Sequence, residues 1–187
     1  ALTGFKLIPF LRKIHFGQTI LDIGPRWHKS KQGTPIMGGF MFIIGILVAV
    51  IVAYVAAALV VPEVVQNKAY NLKLFAGIIM ALGFSFIGFL DDYIKAVKKR
   101  NLGLNEKQKL ILQFIVAAVY MVLLYCAGDS STIVAFPFLG QINLSFFYYP
   151  LAMVGIVFLV NAVNLTDGID GLSSSVTFVV ALGFLVI

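Results

Sequence analysis

Two clusters of polar residues stand out in a chain that is otherwise strongly apolar. The segment Asn161-Ala-Val-Asn-Leu-Thr-Asp-Gly-Ile-Asp-Gly171 carries two carboxylates and two amides between apolar stretches. Because an unpaired charge in an apolar setting is costly, such a cluster in a membrane-type sequence predicts a functional site. Helix capping by Asp170 is the simpler alternative, but it accounts for only one of these polar side chains.

The second cluster is Asp91-Asp92, followed by Lys95. In a helix, Lys95 is four residues after Asp91 and three after Asp92, and both spacings let it reach the carboxylate. The two acids are predicted to lie at the C-terminal end of a helix, where they oppose the helix dipole and need a compensating charge. A hard divalent cation would supply it, since Mg²⁺ prefers oxygen ligands and shares them with phosphates. A solvated, ion-paired cluster without a metal is the alternative interpretation.

A third segment, Lys31-Gln-Gly-Thr-Pro-Ile-Met-Gly-Gly39, joins a cation to a predicted helix start. Lys31 offers a positive charge for phosphate, and Gly33 and Thr34 precede the helix, where backbone N–H groups bind anions. Taken alone, the segment is more typical of a capped helix start with small residues for helix packing.

The composition explains why these polar residues are informative. The chain has 187 residues, of which 60% are hydrophobic and 12% charged, and its mean hydropathy is +1.00. Because soluble domains carry about 25% charged residues, the sequence predicts an all-α, polytopic transmembrane helix bundle. A bilayer span needs about 20 apolar residues, and the predicted spans are 36–61, 72–90, 110–127, 146–160 and a fifth from 172 onward.

Smaller features complete the predicted architecture. Residues 1–11 are expected to be the tail of another span, and residues 133–138 and 141–144 to pair as a small extracytoplasmic β-hairpin. Apolar stretches run to both ends of the sequence. We therefore expect a single integral membrane domain, residues 1–187, that is the N-terminal part of a longer protein.

The basic residues predict the orientation in the membrane. Residues 12–35 hold five Lys or Arg and residues 91–109 hold six, whereas residues 62–71 hold one and residues 128–145 none. The positive-inside rule places the two basic segments in the cytoplasm. By alternation, residues 161–171 are cytoplasmic too, so the three polar segments are expected to meet at one membrane face.

The remaining residue types restrict the chemistry. Cys126 is the single cysteine, so neither an intrachain disulfide nor a CxxC metal site is expected. His15 and His28 are far apart in the sequence and lack the spacing of metal ligands. The GxSxG motif of acyl hydrolases does not occur. Acids, lysines and helix starts at one membrane face suit a Mg²⁺-dependent phosphoryl transfer with a lipid substrate, and no nucleic-acid partner is expected.

Together the three segments resemble the phospho-N-acetylmuramoyl-pentapeptide transferases, the translocase I family within the polyprenyl-phosphate sugar-1-phosphate transferases. The resemblance runs in order through essentially the whole chain, and the segment from Lys31 to Gly39 is its most specific part. It implies transfer of phospho-MurNAc-pentapeptide from UDP-MurNAc-pentapeptide to undecaprenyl phosphate. The implied products are lipid I and UMP, and the implied cofactor is Mg²⁺.

The resemblance also implies a setting. Family members have about ten helices, are usually homodimers, and lie in the lipid bilayer of the bacterial plasma (inner) membrane with the active site on the cytoplasmic face. The family's later segments, with a further metal-binding aspartate and a histidine-rich loop, have no match in these residues. The chain is therefore expected to supply only part of the active site.

Residue roles follow from the same resemblance. Asp91 would orient the lipid phosphate or act as a base, Asp92 would support Mg²⁺ together with Asp91, and Lys95 would neutralise phosphate charge. Lys31 and Asp170 would lie near the uracil. The residues implied to bind the nucleotide sugar are Lys31, Gly33, Thr34, Asn161, Asn164, Asp167, Gly168, Ile169 and Asp170.

Two other functions stay open at this point. A sister family transfers N-acetylglucosamine phosphate to polyprenyl phosphate; it also has an aspartate pair, but usually lacks the Lys-x-Gly-Thr-Pro segment. An ion-coupled membrane transporter is the alternative of another class, since acids at broken membrane helices also bind ions. The clustering of acids at one predicted face, without a repeated pair of Gly- or Pro-broken helices, favours the transferase.

Overall fold

The computed structural model describes residues 5, 9–10, 38–98, 102–136, 138, 140–168 and 171–186. Most of these residues are helical. The chain divides into two compact units, Ala1–Ser130 and Ser131–Ile187. The prediction of a single membrane domain over residues 1–187 stays a prediction.

From residue 38 onward the first unit is built from helices, and its local sequence explains where they begin. Pro62 lies at the start of the second helix, where a missing backbone N–H costs nothing. The Asn67 side chain caps the third helix by accepting the N–H groups of Ala69 and Tyr70 at 3.0 and 3.3 Å. The helices are α1 (Gly39–Val60), α2 (Pro62–Gln66), α3 (Lys68–Lys98) and α4 (Glu106–Cys126).

Close packing of α3 against α4 forms the core of this unit. A Cβ atom built on Gly83 would lie 2.9 Å from Cγ1 of Val116, so the two helices can come this close because Gly83 has no side chain. Ala76 of α3 and Ala117 of α4 are buried. Small residues of this kind let membrane helices come close enough for extensive van der Waals contact.

The second unit begins with an antiparallel hairpin. Strand β1 (Ile133–Phe136) pairs with β2 (Gly140–Asn143), and Ile133 lies opposite Asn143. Gly140 has a φ of +79°, a left-handed conformation that glycine adopts without strain. The predicted hairpin is therefore confirmed. After it come a short 3₁₀ helix (Ser145–Phe147), α5 (Tyr148–Thr166) and α6 (Leu172–Val186).

The long helices have the dimensions and surface of membrane spans. Large apolar side chains such as Leu59 and Phe158 are exposed, which suits a lipid surround and would be unfavourable in water. The structure confirms the predicted all-α transmembrane helix bundle of a membrane protein. Among the described residues, the stretches long and apolar enough to cross a membrane are Gly39–Val60, Lys68–Lys98, Glu106–Cys126 and Ser145–Thr166, and Leu172–Val186 is a shorter apolar helix.

Two helices extend beyond their predicted ends. The apolar stretch that predicts a span up to residue 90 continues as helix to Lys98, and the one up to residue 160 continues to Thr166. Hydropathy falls where polar residues begin, but Asp, Asn and Lys do not stop a helix, and neither extension contains Gly or Pro. Both candidate clusters therefore lie on helical extensions of apolar spans.

Candidate active site

Asp91 and Asp92 lie inside α3, not at its end. The sequence predicts two acids at a helix C-terminus, where they would oppose the helix dipole. The structure corrects this, because α3 continues past them and carries Lys95 and Lys98 in its last turn. Cations are the favourable charges at that position. Lys95 and Lys98 therefore offset the negative end of the helix dipole, and the two acids lie one to two turns before it.

The two carboxylates share one ammonium group. Nζ of Lys95 lies 2.5 Å from Oδ2 of Asp91 and 3.5 Å from Oδ1 of Asp92. The ion pairs expected from the helical spacing are therefore present. The Asp91 side chain is 17% exposed and that of Asp92 is 35% exposed. Asp91 is the enclosed member of the pair, and Asp92 is the more accessible one.

A further partner holds Asp91 from outside its own helix. The backbone N–H of Leu104 donates to Oδ1 of Asp91 at 2.8 Å, 13 residues along the chain. Since Lys95 binds the other oxygen, rotation of the carboxylate would break a charge-assisted contact. Sequence reasoning missed Leu104, because a contact made by a backbone N–H leaves no mark in the type of side chain.

The start of α4 holds Leu104 in its place. Asn105 is the N-cap of α4 and forms a capping box with Gln108. Oε1 of Gln108 accepts the backbone N–H of Asn105 at 3.2 Å. Asn105, the residue after Leu104, is thereby hydrogen-bonded to the first turn of a long helix. This contact fixes the segment whose N–H donates to Asp91.

The donor types of this cluster fit Mg²⁺ with help from a substrate. Mg²⁺ is usually held by one or two carboxylates together with water and phosphate oxygens. Asp91 and Asp92 supply two neighbouring carboxylates, and Asp92 is accessible. Within the part of the chain that the structure describes, no group of three His, Cys, Asp or Glu side chains could hold a metal ion. Substrate phosphate oxygens, water or groups outside the described residues would complete the coordination.

The other cluster begins on α5. The sequence predicts a junction between helices from residue 161, but α5 includes Asn161 and Asn164 and ends at Thr166. Nδ2 of Asn161 donates to the backbone oxygen of Val157 at 2.8 Å, one turn earlier. Asn164 and Asp167 are exposed. This helix end therefore presents an amide and a carboxylate at its surface.

Gly168 follows the end of α5, and Gly171 precedes the first residue of α6. The N–H of Gly168 donates to the backbone oxygen of Leu165 at 3.4 Å. Gly171 has a φ of +82°, and its backbone oxygen accepts the N–H of Ser175 at 3.0 Å. Gly171 thus makes the left-handed turn that begins α6, as its residue type permits.

Several predicted site residues lie outside the described residues, namely Lys31, Gly33, Thr34, Ile169 and Asp170. The Asp91 cluster belongs to the first unit, and Asn161, Asn164, Asp167 and Gly168 belong to the second. The expected meeting of the three polar segments at one face stays a prediction. The catalytic and binding roles of the individual residues stay predictions as well.

Comparison with protein families matches residues 74–187 to the model described as glycosyl transferase family 4. The matched region contains both described clusters. It begins within α3, before Asp91, and continues through α5 and α6.

Curated relatives agree with this match. The chain is 45% identical over 178 residues to the phospho-N-acetylmuramoyl-pentapeptide-transferase of Bacillus subtilis (strain 168). The corresponding protein of Heliobacterium modesticaldum is 44% identical over 184 residues, and that of Clostridioides difficile (strain 630) is 43% identical over 179 residues. These alignments cover 95%, 98% and 95% of this chain, but 51%, 53% and 51% of the relatives. The resemblance found in the motifs is confirmed, and the chain spans about half the length of the curated relatives it matches.

Proposed function

We propose, because this chain belongs to glycosyl transferase family 4, that the whole protein transfers phospho-MurNAc-pentapeptide from UDP-MurNAc-pentapeptide to undecaprenyl phosphate. The products would be lipid I and UMP, in peptidoglycan synthesis. The observation that carries the proposal is the Lys95 ammonium group held between Asp91 and Asp92 just beyond an apolar helical stretch. With a divalent cation held by the two carboxylates, that arrangement would suit a phosphate group presented at a membrane surface.

On the acceptor side, Asp91 and Lys95 act on the lipid phosphate. An oxygen of that phosphate attacks the phosphorus bonded to the sugar, the diphosphate bond breaks, and UMP leaves with the electron pair. The second pKa of a phosphate monoester is about 6, so the nucleophile is already largely anionic at neutral pH. The principal task of Asp91 is therefore to orient the nucleophile, while Lys95 offsets the repulsion between two anions.

On the donor side, Asn164 and Asp167 contact the nucleotide sugar. Both are exposed at the end of α5, where an incoming substrate can reach them. Asn161, Gly168, Ile169 and Asp170 belong to the same binding segment. Lys31, Gly33 and Thr34 complete the nucleotide side, with Lys31 and Asp170 beside the uracil.

Mg²⁺ is the proposed cofactor. Asp92 and Asp91 would hold it together with the phosphate oxygens, as the accessible carboxylate of Asp92 favours. The bound ion would neutralise negative charge on the diphosphate. The protein's own groups would position the two substrates for an in-line displacement.

The proposed setting is the bacterial plasma membrane. Helices long and apolar enough to cross a membrane support an integral membrane protein. The basic segments on either side of the first two predicted spans support an active site on the cytoplasmic face. The proposed homodimer rests on the resemblance to the family alone.

The test is UMP release by the purified full-length protein in detergent. The assay would contain UDP-MurNAc-pentapeptide and undecaprenyl phosphate, with Mg²⁺ or with chelator. We expect release that needs both substrates and the metal. Matched reactions would contain UDP-N-acetylglucosamine as the donor.

Each alternative gives a different result in this assay. Release with UDP-N-acetylglucosamine alone would move the protein to the sister family. Release that continues in chelator would remove Mg²⁺ from the mechanism. Absence of release with either donor would overturn the transferase and favour an ion-coupled transporter.

A further inference from the structure

We propose that Gly103 and Leu104 are positioning residues for the Asp91 carboxylate. In this proposal the two residues that precede Asn105, the N-cap of α4, set the geometry of the acceptor side of the site. The kinetic consequence rests on the proposed transferase function, whereas the contact itself can be tested without it. Neither residue belongs to the three polar motifs of the sequence.

Gly103 leaves no room for a side chain above Asp91. A Cβ atom built on Gly103 would overlap Oδ1 of Asp91, and it would lie 2.6 Å from Cγ and 2.8 Å from the backbone oxygen of the same residue. Carbon atoms do not approach oxygen or carbon this closely without displacing them. Since the backbone oxygen belongs to α3, a rotation of the Asp91 side chain alone would not relieve the overlap.

The need for glycine comes from Asp91 and not from the backbone conformation. Gly103 is absent from the positive-φ residues of the described chain, unlike Gly128, Gly140 and Gly171. A positive φ is therefore not the reason for glycine at position 103. The steric conflict with Asp91 remains as the reason for glycine there.

Leu104, the residue after Gly103, forms a hydrogen bond with the same Asp91 carboxylate. The N–H of Leu104 donates to Oδ1 of Asp91 at 2.8 Å, and Asn105 is fixed by the capping box of α4. Lys95 holds the other carboxylate oxygen. A methyl group at position 103 must displace either the segment or the carboxylate, and each displacement changes the direction in which Asp91 faces a substrate.

Amide hydrogen exchange in the full-length protein tests the contact independently of activity. We expect the peptide containing the Leu104 amide to exchange about tenfold faster in Asp91→Ala, because a charge-assisted hydrogen bond is lost. Asp92→Ala is the matched control and should leave this peptide unchanged. Equal exchange in wild type and Asp91→Ala would overturn the proposal.

Kinetics test the positioning role. In Gly103→Ala we expect kcat for UMP release to fall about 100-fold, since a small misplacement of a reacting group has an effect of that size. The KM for UDP-MurNAc-pentapeptide should stay within about twofold. The overlap with Asp91 should also lower the melting temperature, so the rates of both proteins are measured well below the unfolding of the variant. Gly88→Ala, one turn before Asp91 on α3, is the control, because a Cβ atom there would meet no described residue within 4 Å.

The outcomes separate this proposal from the proposed function. Wild-type kcat in Gly103→Ala, with an active wild type, would overturn the positioning role alone. No UMP release by the wild type would overturn the transferase, while the exchange experiment would still decide whether Asp91 holds Leu104. If Gly103→Ala does not fold, faster exchange in Asp91→Ala but not in Asp92→Ala supports the contact, and any other result refutes it.

Discussion

The two described clusters differ in how much of their geometry the fold already supplies. Asp91 is 17% exposed and is held by Lys95 on its own helix and by the backbone of Leu104. Asn164 and Asp167 lie exposed at the end of α5. A side chain that is held in place before the substrate arrives is suited to the chemical step, whereas an exposed side chain becomes ordered only when the substrate binds to it.

Packing explains this difference within each unit. In the first unit, α4 lies close to α3 through Gly83, and its capped start supplies the Leu104 N–H. In the second unit, Val157 is the buried residue of α5, and a Cβ atom on Gly155 would meet no described residue within 4 Å. The first cluster thus rests on a closely packed helix pair, and the second on a helix with a single buried residue.

The largest effect is expected for Asp91→Asn in the full-length protein. The substitution keeps the shape of the side chain but removes the charge that pairs with Lys95 at 2.5 Å. Because this group is fixed in advance, we expect kcat for UMP release to fall at least about 100-fold, with a smaller change in substrate KM. Initial rates over a range of both substrate concentrations would measure this.

Asp129→Asn provides the matched control within the same unit. Asp129 pairs with Lys73 at 2.8 Å, and both side chains are 38% exposed. Exposed ion pairs contribute about 0–1 kcal/mol, and this pair is outside the predicted site, so kcat should stay near that of wild type. Near-wild-type turnover in Asp91→Asn would remove the role assigned to Asp91.

A smaller effect, of a different kind, is expected for Asp167→Asn. Its carboxylate is exposed at the end of α5 and is proposed to act in donor binding. We expect the KM for UDP-MurNAc-pentapeptide to rise about tenfold, as for the loss of one charged hydrogen bond, with little change in kcat. The measurement is the initial rate of UMP release against donor concentration at saturating undecaprenyl phosphate.

Thr132→Val is a polar substitution in the same unit for comparison. The Thr132 hydroxyl contacts Oδ1 of Asn143 at 2.7 Å beside the hairpin, outside the predicted site. Its donor KM should match that of wild type. If Asp167→Asn instead lowered kcat as strongly as Asp91→Asn, the contrast between a preorganised cluster and a binding cluster would fail.

Features that depend on local spacing could be predicted from the sequence. The transmembrane helices follow from long apolar stretches, and the β1–β2 hairpin from two short segments around a turn. The ion pairs of Lys95 follow from its position three and four residues after two acids. Each of these features is decided by residues within about one turn or one hairpin of each other.

Two other features could not be predicted in this way. The helix ends at Lys98 and Thr166 lie beyond the hydropathy boundaries, because a fall in hydropathy does not end a helix and no residue there breaks it. The hydrogen bond from the N–H of Leu104 to Asp91 is a tertiary contact between residues 13 apart in the chain, which the spacing of side chains does not reveal. The spacing of polar residues therefore located the candidate site, but it did not reveal which backbone groups orient it.

The smallest effects concern the helix packing that underlies the comparison. Gly83→Ala would press a methyl group against Val116, whose branched side chain is stiff in a helix. Overpacking typically costs about 1–3 kcal/mol, so we expect a lower melting temperature despite the gain in helix propensity. At Gly155 an added methyl group would meet no neighbour within 4 Å among the residues that the structure describes, so Gly155→Ala should raise stability by about 0.5–1 kcal/mol.

Opposite changes in melting temperature for these two substitutions would support the difference in helix packing between the two units. Thermal unfolding of the full-length variants in one detergent would measure both changes. Val116→Ala makes room for the added methyl group, so Gly83→Ala should cost less in that background, and the two substitutions should not be additive. If Gly83→Ala stabilised the protein as Gly155→Ala does, α3 and α4 would not be closely packed. The fixed orientation of Asp91 would then have to come from Lys95 and the Leu104 N–H alone.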